Sequence, residues 1–184
     1  MNAAALAAFI PGPFRGLVRY QPTPAVDARG SFLKIFHQPT FAAAGFDFVS
    51  REDFHSVSRR GVLRGMHFQA PPAAQTKLVT CLRGRLLDVI LDLRRGEPTY
   101  GRHWSIELSA AAPQVLLLPA GLAHGFLALE DETEVHYRCS APYAPECDLG
   151  VRWDSFGFAW PVATPLVSPR DASFPPFGGF SSPF

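Results

Sequence analysis

Between Leu78 and Ser140 the chain repeats one pattern: a short apolar run, a break at Gly, Pro or Asp, then another run. The runs are LVTCL (78–82), RLLDVILDL (85–93), HWSIELS (103–109), QVLLLP (114–119), HGFLALE (124–130) and ETEVHYRCS (132–140). One such run is ambiguous between helix and strand, but a series of them separated by turn residues is the pattern of an antiparallel sandwich or barrel. The expected class is therefore all-β. ETEVHYRC also alternates polar and apolar, which places Val135 and Tyr137 on one face of a strand and His136 and Arg138 on the other.

The flanks differ from this region. GLVRY (16–20) and SFLKIFH (31–37) read as extended segments, followed by one short helix near Thr40–Ala44 that stops at Gly45. At the other end, SFPPFGGFSSPF (173–184) carries four Phe among Pro, Gly and Ser, a composition that forbids regular structure. Such an end is either disordered or packs its rings on the body or on a neighbouring subunit. The division expected is an N-terminal extension (1–13), one domain (14–172) and a C-terminal tail (173–184).

With 17 basic and 16 acidic residues, no global field favours nucleic acid or an anionic membrane. The start, MNAAALAAFIPG, lacks a basic n-region, and no apolar run approaches the ~18 residues of a membrane span. A cytoplasmic protein is expected. Its three cysteines, Cys81, Cys139 and Cys147, form no CxxC pair and read as buried thiols.

RGMHFQAPPAAQTK (64–77) poses the chemical question, because His67 could be a ligand, a base or an ordinary side chain. PAGLAHG (119–125) resembles the second conserved motif of the cupin barrels, whose metal-binding members supply HxH and then a Glu from the first motif. Here the matching stretch is His67-Phe68-Gln69, with Lys77 in place of the acidic ligand. An ammonium has no lone pair and repels a divalent ion, and His67 with His124 leaves only two ligands. No metal and no other cofactor is expected.

Nine motifs in order then carry a resemblance over most of the chain: DARGSF (27–32), LRGMHFQ (63–69), AQTKLV (74–79), DLRRGEPTYGRH (92–103), LPAGLAHGF (118–126), VHYRC (135–139), YAPE (143–146), GVRWD (150–154) and SPRD (168–171). Together they resemble the dTDP-4-dehydrorhamnose 3,5-epimerase family, metal-free cupins that epimerise 4-keto-6-deoxy sugar nucleotides. The resemblance implies a cupin-type jelly-roll barrel with N-terminal strands and a few short helices. It implies His67 as the base, Asp171 as its carboxylate partner, Lys77 as stabiliser of the enolate oxygen and Tyr137 as the acid on the opposite face. For the nucleotide it nominates Arg64, Arg29 and Arg170 at the diphosphate, His124 near the sugar, Tyr143 stacked on the base, and Asp148 where the family commonly has a Glu. It also implies a homodimer sharing N-terminal strands, with Arg29 reaching the neighbouring site.

These roles match what the chemistry requires. A ketone at C4 acidifies the hydrogens at C3 and C5, so inversion needs a base on one face, an acid on the other and a cation for the enolate. Three positions depart from the family's pattern, where QDNxS is replaced by EDFHS (52–56) and the Glu after DxRG by Lys34. Glu52, Phe54 and Lys34 are all expected around the nucleotide base, so the keto-sugar chemistry is expected to persist with a nucleotide other than thymidine diphosphate. Whether C3, C5 or both invert is left open. The competing expectation is a cupin of another activity, such as a sugar-nucleotide ketoisomerase or a ligand-binding barrel.

Overall fold

A computed structural model describes residues 9–184, so most of the expected N-terminal extension lies outside the described residues. Short strands β1 (Phe9–Pro11) and β2 (Val18–Tyr20) come first, then a two-stranded hairpin of β3 (Ala25–Asp27) and β4 (Gly30–Phe32). Helix α1 (Gln38–Ala43) follows, and Gly45 takes φ +88° just beyond it, where a side chain would be strained. SFLKIFH is strand only at its first two residues. Beyond them, Ile35 and Phe36 cross a sheet face as irregular chain and pack there with Phe41 and Phe48.

The body comprises β5 (Glu52–Ser58), β6 (Val62–Gln69), β7 (Lys77–Arg83), β8 (Arg85–Asp92), β9 (His103–Ser109), β10 (Val115–Leu118), β11 (Leu122–Ala128), β12 (Thr133–Cys139), β13 (Asp148–Gly150) and β14 (Leu166–Val167). Each of the six runs read from the sequence is a strand, β7 to β12. One sheet has the order β1-β2-β10-β7-β12-β5; the other is β13-β6-β11-β8-β9, with β14 alongside β6. The arrangement is the jelly-roll barrel expected.

Period-two alternation divides the apolar residues into three clusters. Val79, Cys81, Leu86, Ile90, Leu116, Phe126 and Val135 fill the space between the sheets. Leu78, Val115 and Leu117 face outward from the first sheet, under α1 and the N-terminal strands. Met66, Phe68, Val89, Leu91 and Leu93 face outward from the second sheet, where Phe177, Phe180 and Phe184 cover them. Fully burying a side chain of this kind contributes about 1.5–3 kcal/mol, which is why so Pro-rich an end lies against the body. A short α2 (Pro169–Ala172) leads into that end, capped by the Ser168 hydroxyl, which accepts from the Asp171 N–H at 3.1 Å. All three cysteines are free and buried. No described helix is long and apolar enough to cross a membrane.

Candidate active site

The same alternation that builds the inner core also directs polar side chains into it. On the first sheet, Tyr137 of β12 stands opposite Phe54 of β5, and Cys139 opposite Lys77 of β7. On the second, His124 of β11 stands opposite His67 of β6. Phe54, Ser56, Arg64, His67, Lys77, His124, Phe126 and Tyr137 line one cavity of about 200 Å³ between the sheets.

Two glycines make the His67 side of this cavity possible. Gly65 has φ +142°, and a Cβ there would lie 2.5 Å from the Gly125 Cα. A Cβ on Gly125 would meet the Arg64 carbonyl oxygen at 2.9 Å and Met66 Sδ at 2.7 Å. The two backbones touch where the β6–β11 register shifts between His124 and Phe126. Only glycine at both positions permits this contact.

His67 Nε2 lies 2.9 Å from Asp171 Oδ1, and the other carboxylate oxygen accepts the Gly65 N–H at 3.1 Å. Burial would raise the Asp171 pKa, yet the bonds from His67 and Gly65 outweigh it and hold the carboxyl below the usual range. An ionised carboxylate on Nε2 fixes the proton there and leaves Nδ1 as the basic nitrogen. Phe174 meets the ring edge-on at 5.7 Å. That contact connects the catalytic candidate to the C-terminal segment.

Lys77 is half-buried, and burial lowers its pKa. No Asp or Glu among the described residues forms an ion pair with it, so its charge is free for an oxyanion in the cavity. Tyr137 is buried on the wall opposite His67, where burial first and the Asp88 charge second raise its pKa and keep the phenol protonated. His124 Nε2 lies 2.7 Å from Asp88 Oδ2, both fully enclosed, and burial raises the Asp88 carboxyl above its usual range. Sequence reasoning missed Asp88. Its signal was an acid in the middle of the apolar run RLLDVILDL, on the same strand face as Asp92 at the run's end. Asp88 Oδ1 and the cavity-lining Ser56 Oγ have no hydrogen-bond partner among the described residues, and Ser56 borders the space a polar ligand would fill.

Gln69, which stands where the metal-binding cupins have the second His of HxH, is occupied elsewhere. Its amide donates to the Ala73 and Pro142 carbonyls and accepts the Ala144 N–H, pinning two loops. No group of three or more His, Cys, Asp or Glu among the described residues is placed to hold a metal ion.

Of the nucleotide-binding candidates, Phe54, Arg64 and His124 line the cavity and Arg170 the groove beside it, while two are exceptions that lie elsewhere. Arg64 lines both the cavity and a neighbouring groove of about 400 Å³ that His67, Arg170 and Asp171 share. Arg170 donates to Asp148 Oδ2 at 2.6 Å and lies over the Phe174 ring. Tyr143 is exposed, and its N–H donates to Glu52 at 2.6 Å. Phe54 stands inside the cavity beside Tyr137. The exceptions are Arg29, bound to Asp27 within the exposed β3–β4 hairpin, and Lys34, exposed after that hairpin. Within one chain neither belongs to the cavity.

Comparison with known proteins places this geometry. Residues 12–178 match the family model described as dTDP-4-dehydrorhamnose 3,5-epimerase. A protein of that name from Mycolicibacterium smegmatis is 44% identical over 156 residues, spanning 84% of this chain and 78% of the relative. A dTDP-4-dehydrorhamnose 3-epimerase from Streptomyces niveus is 40% identical over 159 residues, spanning 85% and 77%. Among solved structures, the dTDP-4-dehydrorhamnose 3,5-epimerase of Bacillus anthracis with TDP and PPi bound superposes with a TM-score of 0.89 at 34% identity, covering 91% of this chain and 98% of that one.

Proposed function

The chain belongs to the dTDP-4-dehydrorhamnose 3,5-epimerase family and is an isomerase acting on 4-keto-6-deoxy sugar nucleotides, and we propose that it inverts C3, C5 or both by metal-free proton transfer between His67 and Tyr137. The observation that carries the mechanism is the placement of His67 and Tyr137 on facing sheets with Lys77 in the same cavity. His67 Nδ1 takes the proton from the carbon beside the ketone while Asp171 stabilises the imidazolium. The C–H electron pair becomes the enolate double bond, and charge moves to the C4 oxygen beside the Lys77 ammonium. Tyr137 then donates its phenolic proton to the carbon from the other side. Solvent restores the phenol, and His67 releases its proton to water.

His124, fixed by Asp88, and Ser56 bind sugar oxygens in this reading. Arg64 and Arg170 take the diphosphate, which displaces Asp148 from Arg170. Tyr143 stacks on the base next to Glu52. The relatives' names point to thymidine diphosphate, whereas a carboxylate at 52 in place of an amide offers a base edge only acceptors. Titration against dTDP, GDP, CDP and UDP separates these, and tightest binding to dTDP refutes a changed nucleotide.

The β3–β4 hairpin completes the reading. A two-stranded hairpin alone is marginal in water, and this one leaves Val26 73% and Phe32 66% exposed. It docks on a second copy and carries Arg29 to that copy's site. Phe32→Asp should produce a monomer by sedimentation; an unchanged assembly refutes the exchange.

The central test is solvent exchange. In deuterated water with a 4-keto-6-deoxy sugar nucleotide, deuterium should enter C3, C5 or both. No exchange with any of the four nucleotide forms refutes the epimerase reading.

A further inference from the structure

Phe54 is a large apolar side chain at the cavity wall that the inner core does not use. It sits on β5, the edge strand of its sheet, and is 43% exposed. Its aromatic contact is Tyr137, directly opposite in register, with ring centroids 4.7 Å apart and planes 17° from parallel. On another side the His124 ring meets Tyr137 edge-on at 6.0 Å, and His124 is itself held by Asp88. The phenol is therefore confined between a flat face and an edge.

We propose that Phe54 is a positioning residue that clamps the Tyr137 phenol and restricts proton delivery to one of the two carbons flanking the keto group. This rests on Tyr137 being the acid of the reaction proposed above. C3 and C5 lie on either side of the carbonyl carbon, so a donor serving both must shift across the sugar ring while the ring stays in place. A phenol stacked on Phe54 and bounded by His124 cannot make that shift. It protonates the carbon it faces. The small planar amide of an Asn at position 54 lacks the area and the aromatic ring to impose this, and a stacked aromatic pair adds stabilisation beyond the burial of its area.

Initial rates of inversion at C3 and C5 are the readout, measured by proton NMR in deuterated water on the full-length protein. A misplaced donor costs up to ~100-fold, so the wild type should favour one carbon by at least about tenfold. Phe54→Ala and Phe54→Asn should bring the two rates within about threefold of each other by freeing the donor. Phe54→Tyr keeps the flat ring and should restore the bias. A side chain needed only for folding would lower both rates together and leave their ratio alone, so an unchanged ratio in Phe54→Ala overturns the clamp, as does a wild type without bias. A wild type that exchanges neither carbon fails at the preceding step and overturns the epimerase reading itself.

Discussion

Replacing Asp171 by Asn changes one carboxylate oxygen to an amino group at a site that is 4% exposed, and the surrounding bonds dictate which way the new amide must face. The Gly65 N–H needs an acceptor, so the Asn carbonyl oxygen takes that position and the NH₂ group turns to His67 Nε2. Nε2 must then accept. The imidazole proton moves to Nδ1, the nitrogen that acts as base in the proposed mechanism, and the imidazolium also loses its counter-charge. An amide that imposes the wrong tautomer on a catalytic His costs about 10⁴-fold in turnover. Losing a charged hydrogen bond in a buried site costs about 1.5–3 kcal/mol of stability, which leaves a domain of ordinary stability folded. Deuterium uptake at C3 and C5 measures the first quantity and a thermal melt the second. Acid titration adds a signed check. Because the Asp171 pKa is lowered on folding, its contribution is complete above the unfolded value of about 3.9 and is lost as pH falls through the folded one. The Asn variant should lack that loss. Exchange within tenfold of wild type in a folded Asp171→Asn protein would refute the tautomer argument.

Lys77→Met should lower turnover by about 10²–10³-fold, the usual effect of losing one oxyanion stabiliser, while raising Tm because a half-buried ammonium with no ion-pair partner among the described residues is removed. A lower Tm with near-normal activity contradicts this. Since burial lowers the Lys77 pKa, wild-type stability should also rise with pH from the folded value toward the unfolded ~10.4, and the Met variant should lose that slope in alkaline denaturant titrations. Gly125→Ala should cost at least about 3 kcal/mol, because its Cβ lands on backbone at 2.9 Å, and urea unfolding measures it directly. Phe180→Ala, removing a ring that meets Phe68 edge-on at 5.7 Å, should cost about 2 kcal/mol; no change in urea midpoint would mean the tail contributes nothing to stability.

The barrel strands were legible because their breaks are local: a Gly, Pro or Asp ends each run, and the turn follows from the chain itself. Alternation went further and set Val135 and Tyr137 inward, with His136 and Arg138 on the outer face. Register between distant strands was not legible. Asp88 could be named as a partner of His124 only once β8 and β11 lay side by side, and Gly65 could be matched to Gly125 only once β6 joined them. SFLKIFH misled for a related reason. Its apolar residues satisfy a sheet face without entering a sheet, and composition does not separate those two fates. The resemblance carried Arg29 and Lys34 to the site, whereas one chain alone leaves both outside it.

Asp171 and the Phe-bearing segment after it follow every barrel strand in the chain, and synthesis runs from the N-terminus. Both sheet walls, Lys77 and Tyr137 thus exist before the carboxylate that orients His67 has left the ribosome. A growing chain holds a barrel whose His67 still lacks its carboxylate partner. In the proposed mechanism, translation that stops between β13 and α2 leaves an inert barrel rather than a poorly controlled one, so competence comes after the walls in this chain's synthesis.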